Sequence, residues 1–186
     1  MPISSQEAAQ ALDEIAQTQR RASILRGYEK GAPHFFLWGL IWIVGYAVSD
    51  LSPELSGLVW LLLDAVGITG SYLLGRATVA GIPTARQGYG PRFAALGATL
   101  FAFMVATYFV MRPHEVAQFG AFPALLVATI YTVVGIWRGS RWAASGIALG
   151  ICTIAGIAVF KEHYMLWMAV AGGSTLLISG FWLRQA

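Results

Sequence analysis

The stretch VAQFGAFPALLVATIYTVVGIW, residues Val116–Trp137, decides the fold, because 22 residues pass without one Asp, Glu, Lys, Arg or His. As a helix rising about 1.5 Å per residue it matches a hydrocarbon core about 30 Å thick, whereas a strand would need only about half as many residues. The same reading extends in both directions along the chain. Charged residues bound five further gaps, Gly31–Ser49, Leu55–Gly75, Phe93–Met111, Trp142–Phe160 and Tyr164–Leu183, each 19 to 21 residues long with at most one charged residue or histidine. The expected fold is all-α, a six-helix transmembrane bundle.

Composition excludes a water-soluble globule. Hydrophobic residues make up 57% of the 186 and charged ones 11%, against about 25% charged in ordinary soluble domains. Too few polar groups exist to cover a wetted surface, and the loops between the gaps are too short to shield buried helices. The 12 Lys and Arg against 9 Asp and Glu form no single patch. They punctuate the apolar runs, so they read as topology signals and no nucleic-acid partner is expected. The single cysteine, Cys152, excludes an intramolecular disulfide and any multi-cysteine metal site.

Cytoplasmic segments of membrane proteins carry the excess of Lys and Arg. One side of the six-span arrangement holds Arg20, Arg21, Arg26, Lys30, Arg76, Arg86, Arg92, Arg138, Arg141 and Arg184; the other holds Arg112 and Lys161. Both termini are therefore expected in the cytoplasm. Trp38, Trp137, Trp142 and Trp182 fall at the inner interface on this reading, and Tyr108, Tyr164 and Trp167 at the outer one, as aromatic belts require.

Residues 1–33 show no basic start followed by an apolar stretch, so no cleaved signal peptide is expected. Ser4-Ser5-Gln6-Glu7 is a capping box, with Ile3 placed to pack on Ala8 as a hydrophobic staple. Beyond it Ala8, Ala11, Ile15, Thr18, Ala22 and Leu25 follow steps of three and four, which puts them on one stripe of a helix. Gly27 and Gly31-Ala32-Pro33 are expected to interrupt that helix before the first span. The chain thus divides into a cytoplasmic amphipathic helix over 1–31 and a six-span domain over 32–186. Acidic residues come early in the first segment (Glu7, Asp13, Glu14) and basic ones late (Arg20, Arg21, Arg26), which suits the helix dipole and places the basic half beside anionic headgroups. Two readings of the stripe stand: a helix resting on the membrane or on the protein's own loops, or a docking surface for a second copy or a cytoplasmic protein partner.

Arg92-Phe93-Ala94-Ala95-Leu96-Gly97 recurs as Arg141-Trp142-Ala143-Ala144-Ser145-Gly146, displaced by 49 positions, and the same displacement maps Arg112 onto Lys161 and His114 onto His163. Three repeated hairpins would produce this pattern, as would the general gathering of Arg, aromatics and glycine at interfaces. Gly146 and Gly150, with Ala143 and Thr153, make a small-residue face on the fifth span, and Ala169, Gly172 and Gly173 do so on the sixth. Such faces serve close helix packing, within a subunit or between subunits of a homo-oligomer.

The segments Trp38-Gly39-Leu40-Ile41-Trp42, Leu166-Trp167-Met168-Ala169-Val170-Ala171-Gly172-Gly173 and Trp182-Leu183-Arg184 together resemble small uncharacterised inner-membrane proteins of bacteria. The resemblance implies a location in the bacterial cytoplasmic membrane and brings no activity and no functional residue with it.

Asp64 is the one acidic residue deep in a span, ten positions after Glu54 and twelve before Arg76. Gly57, Trp60, Asp64, Gly67 and Ser71 share one side of that helix, so the carboxyl is expected on a small, polar stripe facing protein or water rather than lipid. It reads either as a proton, ion or substrate site with Gly67 and Ser71, or as a structural hydrogen-bonding group. At the outer face His114-Glu115 and Glu162-His163 offer imidazole and carboxylate ligands for zinc or a transition metal; polar caps on short turns explain the same residues without one. His114 and His163 also sit at the similar depth that paired haem ligands need, although no pocket for haem is indicated and no cofactor is expected. Gly88-Tyr89-Gly90 lacks the rest of a nucleotide loop, and neither serine nor Cys152 has a histidine at matching depth, so no enzyme activity is expected. The leading expectation is a non-enzymatic regulatory or scaffold component acting through oligomerisation and its N-terminal helix. The alternative is a small proton- or ion-coupled transporter or channel using Asp64, as a dimer.

Overall fold

The computed structural model describes residues 5–79 and 89–185. Ile3, Ser4, Arg86 and Gly88 lie outside the described residues, as do the side chains of Ala8 and Arg92. The architecture is all-helical: α1 (Ser5–Leu51), a short 3-10 turn (Pro53–Leu55), α2 (Ser56–Val79), α3 (Tyr89–Met111), α4 (Val116–Arg138) and α5 (Ser140–Val159). After a second 3-10 turn (Lys161–His163), α6 runs as Tyr164–Trp167, widens into a π-helical stretch at Met168–Gly172 and continues as Gly173–Arg184. Among the described residues six helices are long and apolar enough to cross a membrane. The chain is a multi-pass helical bundle of membrane type.

The expected break before the first span does not occur. α1 is one helix of 47 residues with Pro33 inside it, about 70 Å long at the usual rise. A proline deletes one backbone hydrogen bond and a glycine costs about 1 kcal/mol in a helix interior, but tertiary packing overrides both. Tyr28, Gly31, Ala32 and Phe35 are buried while Pro33 points its ring outward. Gly31 is where the Trp142 indole lies against α1: a Cβ there would meet Trp142 Cη2 at 3.0 Å. The glycine read as a helix breaker is a contact point.

α1 is the central post, packed against α2 on one side and α6 on the other, while α4 and α5 form the tightest pair. A single residue, Gly139, turns α4 into α5 at φ +111°, a conformation glycine adopts without the steric cost other residues incur. Gly146, read from the sequence as a candidate partner-binding residue, is buried against α4 of the same subunit, where a Cβ would lie 2.5 Å from the Ala128 carbonyl oxygen and from Thr132 N. Gly150 also faces Ala128. Their close approach is used inside the subunit, because without a hydrophobic driving force in lipid the smallest residues set which helices meet. Phe35, Ala124, Leu149, Met168, Leu176 and Leu183 close the interior, each at most 1% exposed.

The expected copies α3 and α5 sit in unlike surroundings. α5 buries Ser145, Gly146, Leu149, Thr153 and Gly156, whereas no residue of α3 between 94 and 111 is buried. α3 leans on α4 through Phe103, whose ring meets Phe122 at 6.1 Å, and through Tyr108, whose hydroxyl donates to the Phe119 carbonyl at 2.6 Å and whose ring meets Phe119 and Phe122 at 5.2 and 5.5 Å.

Candidate functional site

Three places gather the residues singled out by sequence. The first is the seam between α1 and α2. Trp38 Nε1 donates to Ser71 Oγ at 3.1 Å, and Gly67 is buried beneath the rings and methyls of Trp38 and Ile41. Further along, Trp60 Nε1 donates to Ser49 Oγ at 2.9 Å, Ser49 shares a 2.8 Å bond with Ser56 Oγ, and Ser49 Oγ lies 2.8 Å from the Gly45 carbonyl. A hydroxyl has one hydrogen and two lone pairs, so Ser49 is saturated when it donates to Gly45 and accepts from Trp60 and Ser56. The Tyr46 ring stands edge-on to Trp60 at 5.1 Å, and its hydroxyl donates to the Gly120 carbonyl at 2.8 Å.

Asp64 does not join this network. Trp60, Gly67 and Ser71 turn toward α1, but Asp64 and Gly57 are exposed on the chain's own surface, and nothing lies within 4 Å of where a Gly57 side chain would start. Within one subunit, then, Asp64 is not covered by the described residues. The five residues cover an arc of about 80° on a helix of 3.6 residues per turn, and α1 covers only one edge of it. Tyr46 is within electrostatic reach of Asp64, yet its hydroxyl hydrogen is already committed to Gly120. No hydrogen bond or ion pair reaches Asp64 from the described residues, and an ionised Asp at mid-membrane costs about 2.5–3.5 kcal/mol on insertion scales.

The second place is the end of the bundle that holds the α3–α4 and α5–α6 turns. These turns do meet, though not as a ligand set. Glu115 caps α4 through a reciprocal box with Gln118 and pairs with Lys161, Nζ to Oε1 2.8 Å. His114 donates its backbone N–H to the Gln118 side chain at 3.2 Å, and Glu162 and His163 are exposed on the following turn. Among the described residues no three His, Cys, Asp or Glu side chains converge. The expected metal set of His114, Glu115, Glu162 and His163 is replaced by a helix cap and an ion pair, because the carboxylate nearest the other turn is taken by Lys161.

The third place is the opposite end, where α1 leaves the bundle. Tyr28 is buried against the α4–α5 turn, its hydroxyl accepting the Arg141 backbone N–H at 3.4 Å. The Arg141 guanidinium lies over the rings of Tyr28 and Trp182, 5.6 and 5.3 Å from their centroids, and donates to the Trp182 carbonyl. Ile24 packs beside Gly139. Beyond this clamp α1 stands free: of the predicted stripe, Ala11, Ile15 and Leu25 are exposed and Ala22 is half-buried. A shallow groove runs along Ala11, Glu14, Ile15, Thr18 and Gln19. Among the described residues the contacts with the α4–α5 turn are made by Ile24 and Tyr28, which are absent from the stripe.

The clamp of Tyr28, Arg141 and Trp182 and the network of Trp38, Trp60 and Ser49 were not visible in the sequence. One signal existed for the first: glycine between two helices, followed at once by serine and Arg141, marks a turn too tight to leave its neighbours unpacked. Comparison of the chain with protein-family models, curated proteins and solved structures finds no match.

Proposed function

We propose that the protein is a non-enzymatic, multi-pass component of a bacterial inner membrane, with both termini in the cytoplasm, that acts as a scaffold or regulator by binding. The six spans form a platform, and the N-terminal half of α1 is the arm that binds a second copy or a cytoplasmic protein. One observation carries this reading: a single unbroken helix is clamped by Tyr28, Gly31, Ala32 and Phe35 at its middle and exposes Ala11, Ile15 and Leu25 beyond the clamp. An apolar stripe on a helix needs cover from some surface, and the described residues leave Ala11, Ile15 and Leu25 exposed. The side-chain-filled interior agrees with a structural role for the spans.

Deletion of residues 1–21, or Ile15→Glu, is expected to leave insertion and thermal stability unchanged while abolishing arm-dependent association. The readout is photo-crosslinking from position 25, an exposed site that both variants retain, in native membranes, to a second copy or to a cytoplasmic protein. Crosslinks that persist unchanged in Ile15→Glu would refute the reading.

A second reading is favoured by Asp64, an intramembrane carboxyl with no hydrogen-bond or ion-pair partner among the described residues: proton- or ion-coupled transport. Under it Asp64→Asn abolishes ion-coupled flux in proteoliposomes with folding intact, whereas the binding role predicts no flux from either protein.

A further inference from the structure

A helix lying against others is expected to hide its polar groups, and α2 hides Ser56 and Ser71 in part but leaves the Asp64 carboxyl exposed in mid-span. Along the exposed face that adjoins its α1 contact, Gly57, Leu61, Asp64 and Ile68 follow one another in steps of four, three and four, and all four are exposed. This is the spacing of a helix-pairing seam, with a polar residue at one core position of the kind that fixes register. Gly57 at its end leaves room for another backbone to approach.

What covers the seam is constrained by Asp64. Trp38, Trp60 and Tyr46 have their donors committed to Ser71, Ser49 and Gly120, so the bundle has none of these left to offer it. A second copy inserts with the same orientation, so a two-fold axis relating the copies stands normal to the membrane, and each seam residue meets its twin at equal depth. A carboxyl that keeps its proton is at once donor and acceptor, hence complementary to its own image without net charge. The chemistry that leaves Asp64 stranded in the monomer is satisfied by duplication.

We infer that α2 is a two-fold interface: a second copy of the chain packs on the Gly57, Leu61, Asp64 and Ile68 seam, and the two Asp64 carboxyls hydrogen-bond across the axis. The inference rests on α2 and is separate from the arm of α1; an arm that binds nothing leaves it untouched.

The test uses the full chain in native membranes with Cys152→Ser removing the single native thiol. Leu61→Cys and Ile68→Cys are oxidised and scored for disulfide-linked dimer, beside Leu62→Cys, which is as exposed but points away from the seam. Dimer is expected from the two seam positions and not from Leu62→Cys. In the same backgrounds Asp64→Asn, which keeps a donor and an acceptor, preserves the linkage, while Asp64→Leu weakens association about tenfold, the scale of the two hydrogen bonds that a reciprocal carboxyl pair shares. Equal linkage at all three positions, none at Leu61 and Ile68, or full retention in Asp64→Leu would each overturn the interface. A heterologous partner seated on the seam would show itself as the second of these outcomes.

Discussion

Replacing Trp60 by Phe keeps a ring against Tyr46 and removes one N–H from Ser49, which still has Gly45 and Ser56 as partners. Hydrogen bonds between membrane helices average about 0.6 kcal/mol, so Trp60→Phe should lower stability by roughly that amount. Gly31→Leu asks for more. Its side chain would enter the space of Trp142, and that indole is held between Phe35 and Tyr131 at ring distances of 5.0 and 5.5 Å, leaving it nowhere to go. Overpacking of this kind costs about 1–3 kcal/mol. Denaturant titration of both variants in mixed micelles should place Gly31→Leu well below Trp60→Phe, and the reverse order would show that the seam is governed by polar bonding. At this scale the sequence was half legible. Of the stripe Gly57, Trp60, Asp64, Gly67 and Ser71, the structure packs Trp60, Gly67 and Ser71 against α1 and leaves Gly57 and Asp64 exposed on the single chain. Trp38 and Trp167, read as belt residues, instead donate to Ser71 and to the Cys152 carbonyl at 3.1 and 2.8 Å. An indole is both an interfacial anchor and a hydrogen-bond donor, and only its neighbours determine which role it fills.

Helix α1 shows why element boundaries were the least legible feature. Gly27, Gly31 and Pro33 carry the local signals of a helix end, and in water they would act as one. Here Tyr28, Ala32 and Phe35, interleaved with them, are all at most 5% exposed. The energy of burying those side chains acts over the same few residues and outweighs the propensity terms, each of which is no larger than a few kcal/mol. Continuity has a measurable consequence. Spin labels at Leu12→Cys and Val44→Cys, in a Cys152→Ser background, lie 32 residues apart on one rod and should show a backbone separation of about 48 Å. A distribution that is much shorter or broader would mean a hinge at Gly31–Pro33, and an arm free to fold back on the bundle. The capping of α4, by contrast, was one of two readings that the sequence left open for Glu115. Glu115 and Gln118, three residues apart, form the reciprocal box at the start of α4.

For the molecule as a whole, what the sequence disclosed was depth and what it withheld was adjacency. Charges at the ends of apolar runs report where lipid gives way to water, so the six spans and their lengths were readable directly. Which helix touches which was not, because lipid is as apolar as leucine and a span can be hydrophobic all round without loss; α2 and α3 are largely bare on most sides while residues 31–49 of α1 are wrapped, and all three stretches are predominantly apolar. The structure gathers Arg138, Arg141 and Arg184 at the end where α1 leaves the bundle, and Arg112 and Lys161 at the other. Positive residues are retained on the cytoplasmic side, so the arm, the α4–α5 turn and the carboxyl terminus should share that compartment. Thiol labelling with a membrane-impermeant maleimide tests this on single-cysteine chains: Leu12→Cys and Gln185→Cys should react only after right-side-out vesicles are opened, and Arg112→Cys before. Should Leu12 and Gln185 instead label from opposite sides, the number of crossings would be odd, Tyr28 and Trp182 could no longer meet at one surface, and the clamp that holds the arm in place would have no physical basis.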